Sequence, residues 1–296
     1  MIEFNCNSRM NHTEAALKLK LFERVAYIPV FIVGFSLNVT ALCIFCRIKR
    51  WTDTHIYMLN LLFADFLAIL ILPFKILEVF CPITPSFLCT FLLCTQFSNM
   101  YCSIFIITAI SFHRFIAVRF PFLAKALLSK SRMIAITKCI IIWVIIAVIC
   151  SRNYQEFLPD MLQHCYDRKV ELKLKIPFLV VLEILGYLIP VVILIFCSTQ
   201  TIYILVRSLR HVEGRDRVER KNIAAIIAAN MFTFIVCFTP VHIGLLLQNY
   251  SSDVDFVRVF LNVAEWIATT NCCLDSIGYY FLLKKINKRD KVHIDC

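Results

Sequence analysis

Two aspartates stand where aspartates are costly. Asp65 and Asp275 each lie inside a long apolar stretch, and an ionisable group in hydrocarbon needs a partner, water or a function. Asn38, Asn99, Ser103 and Asn271 fall at compatible depths in other apolar stretches. Carboxylates, amides and a hydroxyl are hard oxygen ligands, so Asp65, Asn99, Ser103, Asn271 and Asp275 could hold a small cation such as sodium. They could instead form a hydrogen-bonded cluster between helices with a shared proton, and residue types alone lean slightly to that second reading. Use of the two aspartates as a proteolytic pair would require flanking motifs that the chain lacks. HExxH, GxSxG and GxxxxGK[ST] are also absent, as is any Cys/His array with structural-zinc spacing. No catalytic residue is expected, no cofactor beyond that ion, and no enzyme.

The basic residues pose a second question. Lys75 follows Leu72-Pro73-Phe74, and Glu78-Val79-Phe80 separates it from the next loop. Its ammonium therefore lies below the membrane surface and needs an anionic partner or water. Glu78 and Glu183 are candidate internal partners, and an anionic ligand is the external one. Arg152, Lys173, Lys175 and Arg258 lie near the ends of apolar stretches, where such side chains snorkel to headgroups, the favoured reading for the two lysines. Arg114, in Ser111-Phe112-His113-Arg114-Phe115, could snorkel in the same way at the opposite end.

The elements that must position these groups are membrane spans. Of the 296 residues, 60% are hydrophobic and 17% charged, too apolar for a water-soluble domain of this size. A spanning helix needs roughly 20 apolar residues. Seven stretches qualify, at about Val25–Cys46, Ile56–Phe80, Phe87–Val118, Met133–Ser151, Ile176–Val206, Ile223–Tyr250 and Val254–Leu283. The alternating segments of a barrel are missing. The fold class expected is an all-α membrane protein: a seven-helix transmembrane bundle over 24–283, an extracellular tail over 1–23, and a short cytoplasmic amphipathic helix and tail over 284–296. Met1–Asn11 shows no apolar core or cleavage pattern, so no removable signal peptide is expected. Pro73, Pro190 and Pro240 sit inside apolar stretches and can kink their helices.

With the N-terminus outside, 20 of the 31 Lys and Arg fall on the cytoplasmic side, which sets the orientation and predicts a multi-pass protein of the plasma membrane. The net charge of +11 is split across the bilayer, so a nucleic-acid partner is not expected. The inner charge suits anionic membrane lipids, and the remaining outer charge could attract an anionic ligand. Asn11-His12-Thr13 and Asn249-Tyr250-Ser251 are outer glycosylation acceptors, whereas Asn38-Val39-Thr40 lies within a span, out of reach. Most of the 15 cysteines fall in spans. Cys89 and Cys165 face an oxidising compartment, and a bond between them would pin the second outer loop over the bundle. Cys6 and Cys81 are also outside, leaving a second bond open.

Taken in order, these residues resemble the class A, rhodopsin-like G-protein-coupled receptors over nearly the whole chain. Gly34-Phe35-Ser36-Leu37-Asn38 resembles the family's first-helix GxxxN, and Asn60-Leu61-Leu62-Phe63-Ala64-Asp65 its second-helix motif. Cys89 precedes Arg114 by the family's 25 residues, Trp143 and Pro190 match helices four and five, and Phe234-Ile235-Val236-Cys237-Phe238-Thr239-Pro240 resembles F-x-x-C-W-x-P with Phe for Trp. Within the class, Trp51–Met58, Leu72-Pro73-Phe74-Lys75 and Asn271-Cys272-Cys273-Leu274-Asp275 resemble the branch of the lysophosphatidylinositol receptor and the kynurenic-acid-responsive receptor, near the lysophosphatidic-acid and purinergic receptors.

The resemblance implies a Cys89–Cys165 disulfide and an extracellular ligand, an anionic lipid such as a lysophospholipid or a small acid. Its head would meet Lys75, Arg152 and Arg258, and its apolar part Phe97, Tyr101, Phe238 and His242. It implies a heterotrimeric G protein as inner partner, with His113, Arg114, Phe234, Pro240, Asp275 and Tyr279 in coupling and switching, and sodium as an allosteric modulator. Three departures stand out. The helix-seven N-P-x-x-Y reads Asp275-Ser276-Ile277-Gly278-Tyr279; His113 replaces the acid that normally restrains Arg114; and Ser198 takes the place of a helix-five tyrosine. The lost acid implies raised basal activity and leaves open a ligand-independent receptor. An ion-coupled transporter would show repeated halves and broken helices, which are absent.

Overall fold

The computed structural model describes residues 14–48, 51–81, 83–127, 130–169 and 172–276. Asn11, Cys6, Tyr279, the short basic inner helix and the opening Met1–Asn11 lie outside them. Helix α1 (Glu14–Phe45) begins inside the stretch read as an outer tail. Its opening, Glu-Ala-Ala-Leu-Lys-Leu-Lys-Leu, is made of strong helix formers but carries charges, so hydropathy alone places the span later, at Val25–Phe45. Helix α2 (Asp53–Phe80) opens on a capping box in which the Thr52 side chain accepts from the His55 N–H and the Thr52 N–H donates back to the His55 ring. Helix α3 (Phe87–Arg119) is followed by a short α4 (Pro121–Leu127) and by α5 (Ser131–Arg152).

Two single 3-10 turns, Tyr154–Phe157 and Pro159–Met161, lead into an antiparallel hairpin of β1 (Leu162–His164) and β2 (Asp167–Arg168), strands that hydropathy did not anticipate. The next span is continuous over Ile176–Ser208 but changes register: α6 (Ile176–Val180) passes through a π-helical segment, Val181–Leu188, into α7 (Ile189–Ser208). Pro190, the second residue of α7, lacks an N–H to donate, which accounts for the widened turn before it. Pro73 and Pro240 sit within unbroken α2 and α8 (Gly214–Tyr250). The last helix, α9 (Val254–Thr269), turns at Thr270 and resumes over residues 271–276.

Six helices among the described residues are long and apolar enough to cross a membrane, and α9 with its continuation occupies the place of the seventh stretch. Their outward faces stay apolar: Leu70, Phe91, Met133 and Phe232 are each about two-thirds exposed, a surface suited to lipid rather than water. The inward faces close a core around Phe45, Tyr57, Leu62, Ile104, Ile106, Phe234 and Phe238. Small residues allow the closest approaches. A Cβ placed on Gly186 would lie 2.5 Å from the Tyr101 ring, so the π segment meets α3 at a distance only glycine permits.

Candidate functional site

At the end of the bundle bearing Cys89, a cavity opens between α2, α3, α6, α8 and α9. Its position depends on the loop between α5 and α6. The Cys89–Cys165 disulfide ties that loop to the start of α3. Glu78 holds it a second time, accepting from the Cys165 N–H at 2.9 Å through one carboxylate oxygen and from the Ile83 N–H at 2.8 Å through the other. Thr90 donates to the Phe157 carbonyl at 2.7 Å. Asn249 completes the anchorage, since its amide accepts from the Leu174 N–H and donates to the Leu174 carbonyl. Asn249, one of the two acceptor asparagines expected from the sequence, is buried with both ends of its amide engaged. Cys81 is disulfide-bonded too, and Cys6, its sequence-level candidate partner, lies outside the described residues.

The loop delivers Tyr166 above Lys75. Lys75 is 7% exposed. Its Nζ lies 2.9 Å from Glu265 Oε2 on α9, and 5.0 and 5.5 Å from the ring centroids of Tyr27 and Tyr166. Gln96 Nε2 donates to the same Glu265 oxygen at 3.4 Å. Burial raises the Tyr166 phenol above its ordinary value, with the Lys75 charge acting the other way. The expected acids are elsewhere: Glu78 holds the loop, and Glu183 pairs with His242 Nδ1 at 3.2 Å. Glu265, absent from the sequence reading, is the partner. Its only advance signal is a lone acid in the apolar middle of α9, seven residues and so two helical turns after Arg258, on the same face.

Of the residues expected to meet a ligand, Lys75, Phe97, Tyr101, Phe238 and Arg258 line this cavity, joined by Glu265, Gln248 and Asn262. Two do not. Arg152 ends α5 exposed and outside the cavity, where α5 shows the bundle's exterior. His242 lies behind the wall, stacked on Tyr187 at 4.2 Å and held by Glu183. Of the two lysines read as snorkelling, Lys173 is exposed, and Lys175 reaches Gln155 at 3.1 Å and Glu156 at 3.4 Å.

Asn99 and Asn271 also line this cavity, and they belong to the second group of polar side chains. Asn271 Nδ2 donates to Asp275 Oδ2 at 2.6 Å, Asn99 Nδ2 to the Ala64 carbonyl at 2.6 Å, and Asn38 Nδ2 to the Gly34 and Cys272 carbonyls. Both Asp65 carboxylate oxygens, Ser103 Oγ, Asn271 Oδ1 and Asn38 Oδ1 are buried with no hydrogen-bond partner among the described residues. A closed hydrogen-bond network would satisfy such atoms. Buried oxygens left over from α1, α2, α3 and residues 271–276 instead fit a hard cation. Among the described residues no group of three or more His, Cys, Asp and Glu side chains could hold a metal, so a cation here would rest on amide and hydroxyl oxygens as well as the carboxylates.

At the opposite end, Arg114 has no hydrogen bond or ion pair among the described residues. His113 turns to α2 instead, with Nε2 2.9 Å from Asp53 Oδ2 and its ring beside Tyr57. Ser198 is buried, its Oγ likewise without a partner. Between the two ends, Phe234 and Phe238 pack edge to face at 5.2 Å, and Tyr187 of the π segment shares a 2.5 Å hydrogen bond with Thr239, next to Pro240.

Known proteins share this arrangement of sequence. G-protein coupled receptor 55 of Mus musculus is 34% identical over 296 aligned residues, covering 93% of this chain and 89% of the relative. G-protein coupled receptor 35 of Homo sapiens is 31% identical, covering 92% and 87%. Lysophosphatidic acid receptor 6 of Gallus gallus is 30% identical, covering 99% of both. All three are receptors and none is an enzyme. The family model described as 7 transmembrane receptor (rhodopsin family) matches residues 37–279, from the first helix through Asp275 to the last motif tyrosine, and the chain belongs to that family of multi-pass membrane receptors.

Proposed function

We propose that this receptor lies in the plasma membrane with its N-terminus outside, senses an extracellular anionic amphiphile or small acid, and activates a heterotrimeric G protein. The observation that carries the reading is Lys75: a buried ammonium in the wall of a cavity otherwise lined largely by apolar and aromatic side chains. Such a cavity offers an apolar tail burial and an acidic head one strong partner. The name of one relative, lysophosphatidic acid receptor 6, specifies an anionic lipid and supports the same class.

The ligand head meets Lys75 and Arg258, and its apolar part rests on Phe97, Tyr101 and Phe238. Tyr101 touches the π segment at Gly186 and Phe238 touches Phe234 of α8, so a ligand pressing on these rings bears on two helices at once. A ligand that favours one arrangement of those helices, and a G protein that binds the same arrangement, strengthen each other by linkage. Sodium at Asp65, Asn99, Ser103, Asn271 and Asp275 would favour the resting arrangement by filling it.

The test is nucleotide exchange on purified G protein with the receptor in nanodiscs, challenged with a panel of lysophospholipids and small acids. Exchange that rises with an acidic amphiphile and is lost in Lys75→Ala is the expected result. Exchange that no member of the panel alters would overturn the ligand reading. A second reading, a receptor active without ligand, draws on Arg114, which has no carboxylate partner among the described residues; it predicts high exchange with buffer alone.

A further inference from the structure

The cavity is not a simple anion site, because the ammonium that would meet the anion already has a carboxylate. Lys75 and Arg258 line it, but so do Glu156 and Glu265. Lys75 is engaged on one side by Glu265 Oε2 at 2.9 Å and on another by the faces of Tyr27 and Tyr166. An incoming anion that takes the ammonium competes with the Glu265 carboxylate. Once displaced, Glu265 keeps the Gln96 amide, which already touches the same oxygen, but has lost its cation. Its side chain is 31% exposed, against 9% for Lys75, so Glu265 is the member of the pair that faces the cavity and can turn into it. A carboxylate separated from its cation in such a place carries a large penalty unless a new cation arrives.

We infer that the cavity selects a zwitterionic head: an acidic group that takes Lys75, together with an ammonium that takes the displaced Glu265. Arg258 adds to the acidic side. It lies seven residues before Glu265 on α9, about 10 Å along the helix axis and on the same face, so one wall of the cavity presents a cation, then Asn262, then a carboxylate. That wall complements a head that itself carries both signs. Lys75 and Glu265 thus exchange one internal ion pair for two with the bound molecule. Glu265 is the specificity-determining residue, the one that penalises a purely anionic head. The inference rests on the reading of an amphiphile-binding cavity at Lys75 and adds which head it prefers.

The experiment compares 1-oleoyl-lysophosphatidylethanolamine, which carries an ammonium, with 1-oleoyl-lysophosphatidic acid, which has the same tail and no ammonium. Binding is read as the shift in thermal unfolding midpoint of purified receptor in nanodiscs, titrated with each lipid. The wild type is expected to bind the ethanolamine lipid more tightly by about tenfold, the effect of one charge-assisted contact. Glu265→Gln should reverse that order by removing the carboxylate that needs the ammonium. Lys75→Gln/Glu265→Gln, which removes both charges and leaves two amides able to bond, should bind both lipids weakly and alike. It carries the test if the single variant does not fold. Equal affinity for the two lipids in wild type and Glu265→Gln, with binding lost in Lys75→Gln, would overturn the zwitterion inference and leave the acidic site standing. Discrimination that survives in the double variant would overturn the inference as well. Midpoints that neither lipid moves in any protein would overturn the inference and the amphiphile reading together.

Discussion

Lys75 shows how far one side chain's surroundings change its meaning. Alone it is a cation below a membrane surface. With Glu265 at 2.9 Å and two aromatic faces beside it, it is half of a preformed ion pair. A charge-assisted contact to an acidic head is worth about 1.5–3 kcal/mol, so Lys75→Ala should weaken an acidic agonist by roughly tenfold to a hundredfold. Lys75→Arg should keep part of that, because the charge survives while its geometry changes. Potency at matched surface expression is the measurement, and unchanged potency in Lys75→Ala removes Lys75 from the site. His113 makes the matching case at the far end. Its ring bonds Asp53 and does nothing for Arg114. In His113→Asp the new carboxylate is repelled by Asp53 and attracted to Arg114. A restraint of about 1.4 kcal/mol would lower a small active fraction about tenfold. Basal nucleotide exchange should therefore fall in His113→Asp, and equal basal rates in the two proteins would reject the idea.

Two elements decide the shape of the cavity. The first is the loop after α5, fixed at Phe157 by Thr90, at Cys165 by both the disulfide and Glu78, and at Leu174 by Asn249. The Cys89–Cys165 bond spans 76 residues, and closing a loop of that size is worth on the order of 4–5 kcal/mol in the chain-entropy model. Cys165→Ala should lower surface expression or agonist binding, read by cell-surface labelling and a binding isotherm. Mass mapping that finds Cys89 and Cys165 as free thiols in mature protein would end the proposal. The second element is the π segment. Its Gly186 admits the Tyr101 ring, and an added Cβ at 2.5 Å forces that ring to move. Gly186→Ala should cost about 1–3 kcal/mol by overpacking, seen as a lower unfolding midpoint, and should weaken agonists because Tyr101 lines the cavity.

Across the whole molecule, the cavity and the buried oxygen cluster are one column. Asn99 and Asn271 line the cavity and belong to the cluster as well. Oxygens of Asp65, Ser103 and Asn271 are without partners there; on the proposal that sodium binds them and favours the resting arrangement, the ion opposes an agonist that favours the other. Agonist affinity is therefore expected to rise when sodium is replaced by a bulky organic cation, and Asp65→Asn should abolish that response. Identical affinity in the two salts would return these residues to a hydrogen-bonded network indifferent to sodium.

Amino-acid order alone determined the spans, because roughly 20 apolar residues in hydrocarbon have few alternatives to a helix. It also placed Asp65, Arg114 and Lys75 as anomalies, since a charge in an apolar run is visible without coordinates. It could not choose partners. Glu78, only three residues from Lys75, was the local candidate, yet the ammonium found Glu265 across the bundle, 190 residues away. Nor could it show that His242 stands behind the cavity wall or that Asn249 is spent on Leu174, because each outcome depends on which face a helix turns inward. The start of α1 and the hairpin before α6 escaped hydropathy for a related reason: a polar helix end and a two-stranded turn carry no span-length apolar signal. Helix existence is a property of local composition, whereas ion pairing and cavity lining depend on rotation and packing between helices, which only the folded bundle fixes.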